Sequence, residues 1–199
     1  MRAVVSNSSR VSMKLVVNGI TLLGLLSAAL ACLLLLRGER SLPFVLLLAA
    51  LVLDMLDGPI ARKAGVSSRL GSWLDSCADV LNYLLFPAIY WAGVYALPVW
   101  VLVIFAGAGV FRLVRFTLIG FGDEGGKLFY AGMPVFYSQL LLMLTLVFRF
   151  DAVLLSAVLL VMSALMVSTL PFAKISVRVL AAALVVYAAV VALELSGVL

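Results

Sequence analysis

Between residues 54 and 79 the chain reads Asp54-Met-Leu-Asp57-Gly58-Pro-Ile-Ala61-Arg62 and then Gly71-Ser-Trp-Leu-Asp75-Ser-Cys-Ala-Asp79, which sets four carboxylates in otherwise apolar stretches. One Asp near the middle of a membrane-spanning helix costs on the order of 3 kcal/mol or more, so four in register mark a site. Positions 54, 57, 58, 61 and 62 share one face of a helix, and 71, 75 and 79 share one face of the next. A short loop near 63–68 lets those faces turn toward each other. Converging carboxylates repel unless cations neutralise them, so a divalent metal is expected, and an all-oxygen donor set favours Mg2+, Mn2+ or Ca2+ over zinc or copper. Gly58, Ala61 and Gly71 lie on the same faces, where missing bulk either admits a ligand to the backbone or lets helices pack closely. The absence of histidine excludes a Ser-His-Asp triad and the usual zinc sites, leaving Asp as the expected general base. Cys32 and Cys77 have no partner at metal-ligand spacing and read as small core residues.

The elements that position these groups follow from composition. At 66% hydrophobic and 12% charged residues, the chain has too little polar surface for a soluble globule of 199 residues. Apolar runs of spanning length recur at about 15–36, 42–62, 70–95, 98–119, 132–149, 152–170 and 176–197, which predicts an all-α polytopic membrane bundle. The first run continues too far for a signal core and is expected to remain as a span. With the N-terminus inside, eleven of the fourteen Lys and Arg residues fall on the cytoplasmic side, so the carboxylate loop is expected in the cytoplasm and the C-terminus outside. The net charge of +5 then reflects this sorting and attraction to anionic lipid, not nucleic-acid binding. Gly120-Phe-Gly122-Asp-Glu-Gly125 spells a G-x-G-x-x-G pattern without any βαβ unit around it, and is read as a flexible cytoplasmic loop.

The pattern Asp54-x2-Asp57-Gly58-x2-Ala61-Arg62-x8-Gly71-x3-Asp75-x3-Asp79 resembles, at all eight fixed positions, the signature of the CDP-alcohol phosphatidyltransferases. That resemblance implies a polytopic enzyme, commonly a homodimer, which transfers the phosphatidyl group of CDP-diacylglycerol to a small alcohol and releases CMP. It implies that Asp54, Asp57 and Asp75 bind Mg2+ or Mn2+, two ions expected, with help from Asp79, and that Asp79 also deprotonates the acceptor hydroxyl. It places the nucleotide and its phosphates beside Asp57, Gly58, Ala61, Arg62 and Gly71. Asn18 and Thr21 look like the Asn-x2-Thr element of many members and join this nucleotide set, although ordinary helix-start polarity would explain them equally. The resemblance covers a core of about 12–175 within a single membrane domain, and the span at 176–197 is extra.

Arg112-Leu-Val-Arg115-Phe116, Phe129-Tyr-Ala-Gly132-Met-Pro134 and Met166-Val-Ser168 look most like the phosphatidylserine synthase branch, which implies L-serine as acceptor. Thr117 stands where that branch usually has Asn, and Asn82-Tyr83-Leu84 replaces a small Ser/Thr-Phe-Gly stretch. Arg112 and Arg115, at i, i+3, offer guanidinium forks to a carboxylate or phosphate, or else snorkel to the interface; Lys127 is equally open. Glycerol phosphate, inositol or inositol phosphate are therefore alternative acceptors. A cation- or proton-coupled transporter is the alternative of another class, since intramembrane Asp residues also serve ion pathways.

Overall fold

The computed structural model describes residues 7–66, 69–124, 127–173 and 176–196. It begins with α1 (Asn7–Leu36), a tight turn at Gly38, and α2 (Ser41–Ala64), which lies along α1. Next comes one rod made of three pieces: α3 (Arg69–Asp79), a π-helical stretch (Val80–Leu85) and α4 (Phe86–Tyr95). α5 (Val99–Ile119) follows, then β1 (Gly122–Glu124), β2 (Lys127–Ala131), α6 (Tyr137–Val147), α7 (Ala152–Val167), β3 (Pro171–Ala173) and α8 (Val177–Leu195). The bundle is all-α in class and polytopic, as its composition requires.

Among the described residues, five helices are long and apolar enough to cross a membrane: Ser12–Leu36, Ser41–Ala61, Gly71–Tyr95, Val99–Ile119 and Arg178–Leu195. Large apolar side chains such as Leu23, Val103, Leu118 and Val185 stand exposed on their outer faces, where lipid would cover them. The expected spans at 132–149 and 152–170 come out shorter. At about 1.5 Å of rise per residue, the 11 residues of α6 reach only a little over half of a hydrocarbon core about 30 Å thick. Gly132 at φ 81° and Pro134 keep the start of that run out of the helix, and Phe148 turns extended at its end. α7 stops where Ser168 leaves helical geometry for β3.

A three-stranded antiparallel sheet, in the order β1-β2-β3, was not anticipated. It pairs Gly122 with Phe129 and Phe129 with Ala173. Gly120-Phe-Gly122-Asp-Glu therefore does not form the flexible loop expected: Gly122–Glu124 is a paired strand, and Gly125 lies outside the described residues. Cys77 is a second correction, because it is exposed on the α3 surface; Cys32 is buried as expected.

Arg115 fastens the sheet to the bundle. Its guanidinium donates to the carbonyls of Val167 at 2.8 Å, Met166 at 2.9 Å and Ala131 at 2.5 Å, so one side chain on α5 joins the end of β2 to the C-terminus of α7. A cation suits that place, since the last carbonyls of a helix carry partial negative charge. Gly132 makes the approach possible. A Cβ there would overlap Arg115 Nη2 and crowd the carbonyls of Met166 and Ser168. Gly132→Ala should therefore lower stability by about 2 kcal/mol or more, combining left-handed strain with the displaced clamp. A melting curve in detergent checks this, and an unchanged midpoint would show that the clamp does not matter.

Candidate active site

α1, α2 and α3 bring the acidic faces together. Asp57 is buried, and the Thr21 hydroxyl donates to its Oδ2 at 2.6 Å across the α1–α2 contact. Asp54 lies one turn earlier on α2, where the Tyr83 hydroxyl donates to its Oδ2 at 3.5 Å. Its other oxygen, Oδ1, is buried with no hydrogen-bond partner among the described residues. Asp75 is exposed at the opening between the helices, and Asp79 follows one turn on, half-buried. Asp54 feels the charges of Asp75 and Asp57, while Asp79 feels all three. Asp54, Asp57 and Asp75 thus come to line one cavity, with Asp79 beside it.

The π-helical stretch has a part in this. A π turn inserts an extra residue into helical phase and is common at functional sites. Here it begins immediately after Asp79 and holds Tyr83 at both ends: its hydroxyl points at Asp54, and its carbonyl accepts from the Ser138 hydroxyl on α6. Asn82, one of the two departures noted above, is fully buried beside it. In the sequence Tyr83 stands only within the departure Asn82-Tyr83-Leu84, with no role at the site, although it continues the i+4 series of 71, 75 and 79.

Two cavities meet at the carboxylates. The smaller, of about 190 Å3, is lined by Asn18, Thr21, Asp57, Gly58, Ala61, Gly71 and Asp75. It gathers the residues proposed for nucleotide contact, apart from Arg62, whose side chain lies outside the described residues. The larger, of about 290 Å3, carries Asp54, Asp57, Gly58, Asp75 and Tyr83 at one end and is otherwise mainly apolar, with Leu51, Met55, Leu140, Met143, Leu180 and Leu184 in its walls. Asp57, Gly58 and Asp75 belong to both. Asp57, Gly58 and Asp75 are therefore the partition between a chamber holding Asn18, Thr21 and Ser72 and a larger, more apolar one.

Asp79 lines neither cavity and faces α5. The charge there is Arg112, which is buried and held with its guanidinium carbon 5.1 Å from the ring centres of both Phe116 and Tyr130. Burial holds the Tyr130 phenol above its usual range, so it remains a neutral donor at ordinary pH despite the adjacent guanidinium. The structure thereby separates the two arginines: Arg112 faces the site, and Arg115 is engaged with three backbone carbonyls. Thr117 bonds back to the Leu113 carbonyl at 3.0 Å. The Lys127 side chain lies outside the described residues.

The donor chemistry fits a hard divalent cation, because the groups are carboxylates and the buried Asp54 Oδ1 has no donor partner among the described residues. As placed, no three carboxylates among the described residues are close enough to enclose one ion.

Residues 14–168 match the family model described as CDP-alcohol phosphatidyltransferase. The chain is 32% identical over 131 residues to a CDP-diacylglycerol--serine O-phosphatidyltransferase of Mycobacterium leprae, covering 62% of this chain and 44% of that protein. It is 34% identical over 131 residues to a phosphatidylcholine synthase of Rhizobium johnstonii, covering 61% and 50%. A serine O-phosphatidyltransferase of Methanocaldococcus jannaschii is 33% identical over 101 residues, covering 50% and 47%. The matches thus extend over about half the length of these relatives.

Thr21→Val would leave Asp57 buried without its short donor. Stability should fall by about 1–3 kcal/mol, as for other hydrogen bonds to charged groups, and Thr21→Ser should restore most of it. Thermal unfolding of the three proteins in one detergent reads the difference, and a valine variant as stable as the parent would remove Thr21 from the site.

Proposed function

The chain belongs to the CDP-alcohol phosphatidyltransferase family, and on that premise we propose that it moves the phosphatidyl group of CDP-diacylglycerol to the hydroxyl of L-serine, releasing CMP. The observation that carries the reading is the acidic partition. A nucleotide-activated lipid has a polar cytidine half and an apolar diacylglycerol half joined by a pyrophosphate, and the two chambers meet at Asp57, Gly58 and Asp75. In this reading the nucleotide half occupies the chamber of Asn18, Thr21, Ala61 and Gly71, with Arg62 at its phosphates. Asp54, Asp57 and Asp75, helped by Asp79, would hold two Mg2+ or Mn2+ ions, which would neutralise the pyrophosphate and the departing phosphate.

Asp79 is assigned as general base. It lies one turn beyond Asp75 and faces Arg112, so it stands on the acceptor side of the cluster. It takes the proton of the acceptor hydroxyl as that oxygen bonds to the lipid-bearing phosphorus, and the bond from that phosphorus to CMP breaks. Thr21 keeps the buried Asp57 oriented, and the Tyr83 hydroxyl does the same for Asp54. Arg112 supports an amino-acid acceptor. One guanidinium, braced by two rings and with its partner arginine engaged elsewhere, matches one carboxylate. A phosphorylated acceptor calls for more positive charge, and choline would meet a like charge. We assign the N-terminus and the carboxylate loop to the cytoplasmic side of the cell membrane, from the Lys and Arg distribution, and take the working enzyme as a homodimer.

Purified protein given CDP-diacylglycerol and Mg2+ or Mn2+ should release CMP with serine, and more slowly or not at all with glycerol 3-phosphate, inositol, inositol phosphate or choline. Activity confined to a phosphorylated acceptor would overturn the serine assignment while leaving the chemistry intact. Chelation should abolish release and added metal restore it. Asp79→Asn should lower kcat by about 10²–10⁴ with donor binding retained, the usual worth of a positioned base. Normal turnover in that variant would eliminate Asp79 as the base.

A further inference from the structure

The larger cavity has two polar groups on its wall that the reaction does not use. Gln139 on α6 is 7% exposed and Tyr187 on α8 is 1% exposed, and both line the chamber that begins at Asp54, Asp57 and Asp75. They stand close enough to influence each other. Their mutual contact falls short of good hydrogen-bond geometry, and Gln139 Nε2 and Oε1 and Tyr187 OH have no other partner among the described residues. Buried polar side chains are nearly always satisfied, so a pair that can satisfy at most each other beside a cavity has donors left over for a ligand. The walls around them are Leu140, Met143, Leu180 and Leu184, which suit hydrocarbon.

We propose that Gln139 and Tyr187 form a subsite that hydrogen-bonds the ester carbonyls of the lipid donor, making α8 a specificity element for ester-linked substrates. This rests on the phosphatidyl-transfer reading above. The ligand must carry charge at the carboxylate end, hydrogen-bond acceptors partway along and apolar chains beyond. A diacylglycerol phosphate has those three in that order. Gln139 Nε2 and the Tyr187 hydroxyl supply the donors that ester carbonyls need. The acceptor alcohol is not a candidate for this place, because Arg112 and Asp79 lie on the α5 side while Gln139 and Tyr187 lie on α6 and α8. α8 begins beyond the last residue of the family match, 168, so the subsite draws on a segment outside the matched region.

The test compares CDP-diacylglycerol with its diether analogue, which has the same head and chains but no carbonyls. Binding of each, and of CDP alone, is measured on the full chain in detergent, alongside CMP release. The parent protein should bind the diester about three- to ten-fold more tightly than the diether, the worth of one or two neutral hydrogen bonds. Tyr187→Phe and Gln139→Leu, both close in shape, should each reduce that preference toward unity without changing the affinity for CDP or the KM for the acceptor. Equal affinity of the parent for diester and diether, alongside normal CMP release, would overturn the subsite and leave the proposed function standing, as would variants that keep the full preference. Failure to bind CDP-diacylglycerol better than CDP, together with absent CMP release, would bring down both.

Discussion

Mutual repulsion among Asp54, Asp57, Asp75 and Asp79 is the constraint to which the surrounding structure answers. Like charges gathered among apolar helices raise the energy of the folded chain unless something opposes them, and the nearby parts divide that task. Thr21 reaches across from α1 to the most buried of the four. Tyr83 turns its hydroxyl to Asp54 from a stretch of helix with altered phase. Among the described residues Arg112 supplies the opposing charge at Asp79, and it is itself braced by two aromatic rings. The remaining imbalance is what a bound cation would relieve.

Position in the bundle then converts charge into selectivity. Because Asp57 and Asp75 stand between the smaller chamber and a larger, more apolar one, a ligand of mixed character is the natural bridge across them. Gly58 lines both chambers. The division between the arginines follows from their different neighbours. Arg112 is flanked by rings and a carboxylate, whereas Arg115 meets the ends of β2 and α7.

Much of this was legible in the residues. The i, i+3 and i, i+4 spacing of Asp54, Asp57, Asp75 and Asp79 foretold the shared face, and Asn18 and Thr21 fell beside the acidic pair as the resemblance implied. The five long spans could be read because a continuous apolar run needs no partner to declare itself. What could not be read depended on tertiary context. Arg115 carries the same local pattern as Arg112, and only the return of β2 and the end of α7 distinguishes them. The sheet escaped because its strands are 3 to 5 residues long and come from segments separated by two helices. Gln139 and Tyr187 are single polar residues in apolar helices, and their common cavity exists only once α6 and α8 are side by side.

The small sheet has a mechanical consequence. β1 and β2 belong to the connection between α5 and α6, and β3 to the connection between α7 and α8, yet backbone pairing and the Arg115 clamp join the two connections into one plate. Arg112 sits one turn before that clamp on α5, so any change that loosens the plate would disturb the seat of the guanidinium whose charge Asp79 feels.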